Sequence, residues 1–183
     1  MKVLRNFLIL SIAILSFSFV DANAQSYSGN KSTREVEQKI FKKLIGLPYY
    51  GVFDHISYKV SGSTVTLYGK VASLGTKKDA ERAVQKIEGV EKVVNYIENL
   101  PPSPYDDRIR LALVRTFNDT AGLSGYIQEP NPSVRIIVQG GRVTLEGYVN
   151  NRGTSNLMNI LANGVNGVFS VTNNLVIEKE MVR

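Results

Sequence analysis

The chain contains no cysteine and a single histidine among its 183 residues. Without cysteine there is no disulfide, no thiolate metal site, no cysteine nucleophile and no lipid-modified N-terminal cysteine. The histidine, His55, follows Asp54 in an alternating, strand-like stretch. Strand neighbours face opposite sides, so the two do not converge as a Ser-His-Asp set requires. We read His55 as a solvated or half-buried strand residue and expect no catalytic residue. One histidine with scattered carboxylates does not make a metal site either. The phosphate-binding patterns GxxxxGK[ST] and GxGxxG are absent, so no cofactor is called for. The pair Gly140-Gly141 reads as a hairpin turn.

Long apolar runs are also scarce. The one candidate lies at residues 7–20, diluted by serines, preceded by Lys2 and Arg5 and followed by Ala22-Asn23-Ala24. It is shorter than the ~20 residues a spanning helix needs. A basic start, a short apolar core and an A-x-A site describe a secretory signal, with cleavage expected between Ala24 and Gln25. The alternative is retention as an anchor. We therefore assign residues 1–24 to a signal peptide and expect a periplasmic protein. Residues 25–31 are a polar leader expected to be disordered.

What is present is a repeat. Val65-Thr66-Leu67-Tyr68-Gly69-Lys70-Val71 returns 78 positions on as Val143-Thr144-Leu145-Glu146-Gly147-Tyr148-Val149. The same offset relates Gly62 to Gly140, Gly89-Val90 to Gly167-Val168, Val93 to Val171 and Asn95 to Asn173, without a gap. The chain is a tandem of one small module. A unit of roughly 70 residues is marginal alone, so the copies are expected to support each other.

The first module, residues 32–100, opens with Ser32-Thr33-Arg34-Glu35, which fits a capping box. Val36, Ile40 and Leu44 give one helical face, stopped by Gly46 and Pro48. Alternation then predicts a strand from about Val52 to Val60, a turn at Ser61-Gly62-Ser63, and the repeated strand with Val65, Leu67, Gly69 and Val71 on one face. A second helix starts near Thr76 and buries Ala80, Ala83, Val84 and Ile87, with Gly89 expected in the C′ position. A third strand spans about Val90 to Glu98. The in-strand glycines Gly69 and Gly147 are read as structural, allowing close approach of a helix or a bulge. Gly89 and Gly167 are read as structural too.

Residues 101–104 form a proline linker. Ser103 caps the next helix, with Pro104 at N1 and Asp106 at N3. Ile109, Leu113 and Phe117 face inward; Arg108, Arg110 and Arg115 are expected to be more exposed. The second module, residues 105–178, differs in one place, being five residues longer between its first helix and its first strand. The extra length falls in residues 118–132, read as a surface loop. Residues 179–183 are a tail. The predicted class is α+β: two tandem helix-strand-strand-helix-strand modules, each a three-stranded mixed sheet with two helices on one face.

The net charge is +6. Residues 31–100 hold twelve basic and eight acidic side chains, against eight and seven in residues 101–183. Lys78, Arg82 and Lys86 fall at i, i+4, i+8 on the second helix, with Lys70 and Lys77 as expected neighbours. The corresponding positions in the second module are Asn156, Ile160 and Gly164. Such a stripe is a candidate anion- or membrane-contacting site, since each basic residue near an anionic surface adds ~1 kcal/mol. Local pairing with Asp79, Glu81 and Glu88 competes with that reading.

Taken with the closing G-V-x-x-V-x-N segment (Gly89 to Asn95; Gly167 to Asn173), the V-T-L-x-G-x-V strand resembles the BON family, the bacterial OsmY and nodulation domains. The resemblance covers nearly all of residues 32–100 and 103–178. It implies a periplasmic or envelope protein without catalytic residues that interacts with membrane phospholipids or envelope proteins. An osmotic-stress chaperone holding unfolded clients is the alternative. Nucleic acid is not an expected partner, and membrane contact is peripheral at most once the signal is removed.

Overall fold

A computed structural model describes residues 23–128 and 130–178, with side chains from residue 33 onward. The expected signal segment lies outside the described residues except for Asn23 and Ala24. No helix among the described residues is long and apolar enough to cross a membrane.

In the first module the order is α1 (Asn23–Ile45), β1 (His55–Ser61), β2 (Thr64–Val71), α2 (Thr76–Gln85) and β3 (Lys92–Asn99). β2 is central, antiparallel to β1 and parallel to β3. Strand alternation sends Val65, Leu67 and Val71 to one face, where they meet Ile97, Ile40, Leu44, Ala80 and Val84. Both helices therefore cover one face of a mixed sheet. The second module repeats this with α3 (Pro104–Asp119), α4 (Ser124–Ile127), β4 (Val134–Gln139), β5 (Arg142–Val149), α5 (Arg152–Asn163), β6 (Ser170–Asn173) and β7 (Val176–Ile177). Its fourth strand is not an addition. β2 pairs with β3 at a constant separation of 28 residues, and β5 pairs with both β6 and β7 at the same separation. β6 and β7 are thus one strand interrupted at Asn174 and Leu175.

Several expectations about boundaries are corrected. α1 starts at Asn23, so Ser32 is interior and the capping box does not form the helix start; residues 25–31 are helical, not a disordered leader. Once the packed turns around Val36 and Ile40 exist, each further residue adds a hydrogen bond, and no proline stops propagation backwards. β1 starts at His55, three residues later than the alternation suggested. α2 ends at Gln85, so Gly89 is not its C′ residue. Gly89 instead occupies a turn closed by Val90 N–H donating to Ile87 O, with φ of 90°. Residues 118–132 are not simply a surface loop: α3 runs on to Asp119, and Leu123 and Ile127 bury their side chains in the second core.

The motif asparagines close the sheet edges. Asn95 Oδ1 accepts from Ile97 N–H at 3.0 Å while its amide donates to Lys77 O; Asn173 does the same to Leu175 N–H and Ser155 O. A side chain thereby occupies an edge amide that another strand would otherwise pair with.

Gly69 and Gly147 are also explained, though no helix approaches them. A Cβ on Gly69 would lie 2.0 Å from the His55 carbonyl oxygen, and one on Gly147 equally close to that of Ser133; φ is 130° and 110°. The neighbouring strand's backbone fills the space. Gly69→Ala and Gly147→Ala should each lose about 2 kcal/mol or more of stability, combining overpacking with left-handed strain. Gly125, with nothing within 4 Å and no left-handed φ, is the control. Urea midpoints check this; a Gly147→Ala midpoint equal to that of Gly125→Ala would contradict it.

Candidate functional site: the module junction and the charged surfaces

The two cores are not independent. Asp54 is buried, and its carboxylate accepts from Gly51 N–H at 2.9 Å and from Ala72 N–H at 2.6 Å. This closes a turn over residues 51–54 and diverts the chain ahead of β1. Val52 and Phe53, placed in the first module's strand by alternation, pack into the core of the second module. Val52 O accepts from Ile136 N–H of β4 at 2.7 Å, so the edge of the second sheet is covered by the first module. β4 is also buried on both faces, with Arg135 and Ile137 as well as Val134, Ile136 and Val138, and Tyr50 of the first module lies against Arg135.

Arg135 is the polar centre of the junction. It is 7% exposed, donates from Nη1 to Gly51 O at 2.6 Å, and lies 4.4 Å from the centroid of the Tyr50 ring. Tyr50 OH accepts from Ile56 N–H at 3.1 Å. His55 stands half-buried beside these groups. Burial lowers its pKa, Glu146 opposes that, and Arg135 reinforces it, so the neutral imidazole is favoured. Asp54 spends both oxygens on backbone amides, which removes it as a partner for His55. On the open faces of the sheets, His55, Ser57 and Lys70 meet Ile137, Thr144 and Glu146 around a 390 Å³ recess. On the other side, Phe41, Tyr50, Tyr58, Arg135 and Tyr148 line a 190 Å³ cavity. It adjoins a 520 Å³ recess along residues 45–51, Pro130 and Asn131. Tyr49 at that recess is 85% exposed and holds φ of 60°, a left-handed backbone unusual for an aromatic residue.

A second polar centre lies inside module two. Ser103 caps α3 by accepting from Asp106 N–H at 3.2 Å, with Pro104 in the first turn. Asp106 is 1% exposed and accepts from Gly140 and Gly141 N–H at 2.9 and 2.8 Å. The glycine turn thus binds an anion, but an internal one. Arg110, expected to be exposed, is only 5% exposed: it pairs with Asp107 and donates to Val138 O at 2.6 Å. A helix-wheel reading placed its charge outward; the carbonyl at the end of β4 draws it in.

The five expected anion-contacting residues do not form one cluster. Lys78, Arg82 and Lys86 are exposed on and just after α2, and Arg82 pairs with Asp79 at 2.8 Å. Lys77 is half-buried. Lys70 points to the open face of the sheet, away from the helices, where its Nζ lies 2.6 Å from Gln139 Oε1 and 3.9 Å from Glu98 Oε2. It therefore belongs to the junction. The helix layer instead adds Lys39 and Lys43, both exposed. Glu37 and Phe41 face β1, where Tyr58 OH donates to Glu37 O at 3.1 Å, so the opposite flank of Ile40 turns toward α2. Sequence spacing did not single out these two lysines; their side of the helix needed the Tyr58 contact. Ala24 and Gln25 fall within α1.

The BON domain family model matches residues 32–100 and again 106–179. The chain belongs to the BON domain family, as a tandem two-module member. No curated protein matches it. Among solved structures it is similar to CdsD, a structural protein of the type III secretion system of Chlamydia trachomatis. The identity is 13% over 81% of this chain and 95% of that one, with a TM-score of 0.30. The C-terminal domain of CdsD gives 12% identity over 79% and 96%, with a TM-score of 0.26. The family assignment rests on the repeated sequence match.

Asp106 makes a pH prediction. Burial alone would raise its pKa, but the amides of Gly141 and Gly140, then Arg110 and Ser103, outweigh this and hold it below the ordinary carboxylate value. Its stabilising contribution is therefore complete above the unfolded pKa and is lost as pH falls through the folded one. Asp106→Asn should lower the urea midpoint at pH 7, and the gap to the unmodified chain should narrow toward pH 3. A gap independent of pH would contradict the assignment. Asp54 has the opposite sign: burial raises its pKa despite the Gly51 and Ala72 amides.

Proposed function

We propose that this chain is a non-catalytic binding protein of the cell envelope whose first module contacts anionic phospholipid through its helix layer. The observation that carries this is the exposed row Lys78, Arg82 and Lys86, flanked by Lys39 and Lys43 of α1. Membership of the BON family supports an envelope role. The charge at module two's equivalent positions is gone, so the contact is one-sided. Export, with cleavage between Ala24 and Gln25, places the protein in the periplasm; contact with the membrane is then peripheral.

A second reading has its own observation. Module two exposes Leu157 and Ile160 of α5, and Phe169 before β6, at 38%, 66% and 76%. An apolar surface of this kind suits a stress chaperone that holds unfolded clients. Suppression of aggregation of a model client without lipid would favour it.

Vesicle co-sedimentation separates the surfaces. The protein should bind phosphatidylglycerol vesicles, not phosphatidylcholine vesicles, and release with added salt. Replacing Lys78, Arg82 and Lys86 with glutamine should weaken binding by roughly tenfold or more. Lys70→Gln, on the opposite face of the sheet, should leave it unchanged. Equal binding by the triple variant would remove the helix layer from the reading.

A further inference from the structure

The cavity at the module junction has the composition of a binding site. Its walls are rings: Phe41 and Tyr58 from one side, Tyr50 beneath, Tyr148 from β5. The hydroxyls of Tyr50 and Tyr58 are turned to backbone partners, Ile56 N–H and Glu37 O, which leaves the ring surfaces toward the gap. The cavity volume is 190 Å³; it is partly open to solvent and shares Ile45, Tyr50 and Asn131 with the 520 Å³ recess. Together these fall in the size range of small-molecule sites, which are mostly apolar with few polar groups.

One charge faces that space. Arg135 has a carbonyl and a ring as direct partners; Asp54 acts on it through space, and no carboxylate among the described residues forms an ion pair with it. Asp54 spends both oxygens on backbone amides, so the guanidinium has no paired acid, and a bidentate acid is the partner its fork fits best. The lengthened segment of module two builds the rim, because Pro130, Asn131 and Pro132 line the cavity or its recess. The insertion that distinguishes the copies thus lies at this opening.

We propose that the junction binds an anionic amphiphile, one acid group on a short apolar arm, with Arg135 taking the acid and the rings of Phe41, Tyr50, Tyr58 and Tyr148 taking the arm. This site needs both modules and lies apart from the helix layer of α2. A carboxylate and a phosphate monoester share the required chemistry.

The test is titration of the full chain with octanoate, octyl phosphate and octanol, followed by ¹H–¹⁵N NMR. At least one acid should produce saturable shifts at Tyr50, Tyr58 and Tyr148, and octanol should not; which acid binds more tightly identifies the head group. Arg135→Gln should weaken binding about tenfold or more. Because Arg135 also joins the modules, Tyr148→Glu serves as a second variant. It places a negative charge at the cavity without touching the Arg135 contacts, and should weaken acid binding to a similar extent. Absence of saturable shifts, equal shifts with octanol, or unchanged binding in Tyr148→Glu would overturn the proposal.

Discussion

The turn closed by Asp54 is the constraint on which the arrangement of the two modules depends. Its carboxylate gathers the amides of Gly51 and Ala72, from either side of the β1–β2 hairpin. That holds Val52 out of its own sheet, so its side chain enters the second core and its carbonyl meets the Ile136 amide. A module of roughly 70 residues buries only ~60% of its unfolded surface, so a shared boundary matters more here than in a large domain. The same contact covers the β4 edge, which would otherwise present unpaired backbone to other strands.

The polar groups taken from water follow one rule: each carboxylate is met by backbone amides, not by a single opposite charge. Asp54 has Gly51 and Ala72; Asp106 has Gly140 and Gly141. Both join segments far apart in sequence. Yet their pKa shifts differ in sign, because burial prevails at Asp54 while the two glycine amides and Arg110 prevail at Asp106. The two buried arginines differ as well. Arg110 pairs with Asp107, whereas Arg135 contacts a carbonyl and a ring and meets Asp54 only through space.

The repeat made the fold legible. Alternation and 3.6-residue periodicity place Val65, Leu67 and Val71 opposite Ile40, Ala80 and Val84, and the structure puts them in one core. Local pattern misled where a long-range partner decides. Val52 alternates with β1 but is pulled away by Asp54; Arg110 sits on a polar helix stripe but reaches Val138 O. Ser32 has the letters of a cap, yet the helix continues through it. Of the basic residues, Lys78, Arg82 and Lys86 were legible from spacing, whereas Lys70 was misplaced because strand alternation turns it to the other side of the sheet. Arg135 carried no signal in its neighbours: only the folded junction brings Gly51 and Tyr50 to it.

Native-state hydrogen exchange of the Ile136 amide tests the coupling of the modules most directly. If the first module seals the second, this edge amide exchanges only with global unfolding, at the free energy of the β5 core amides. Exchange at a much lower opening energy, with β5 still protected, would show that the modules part freely and would contradict the account.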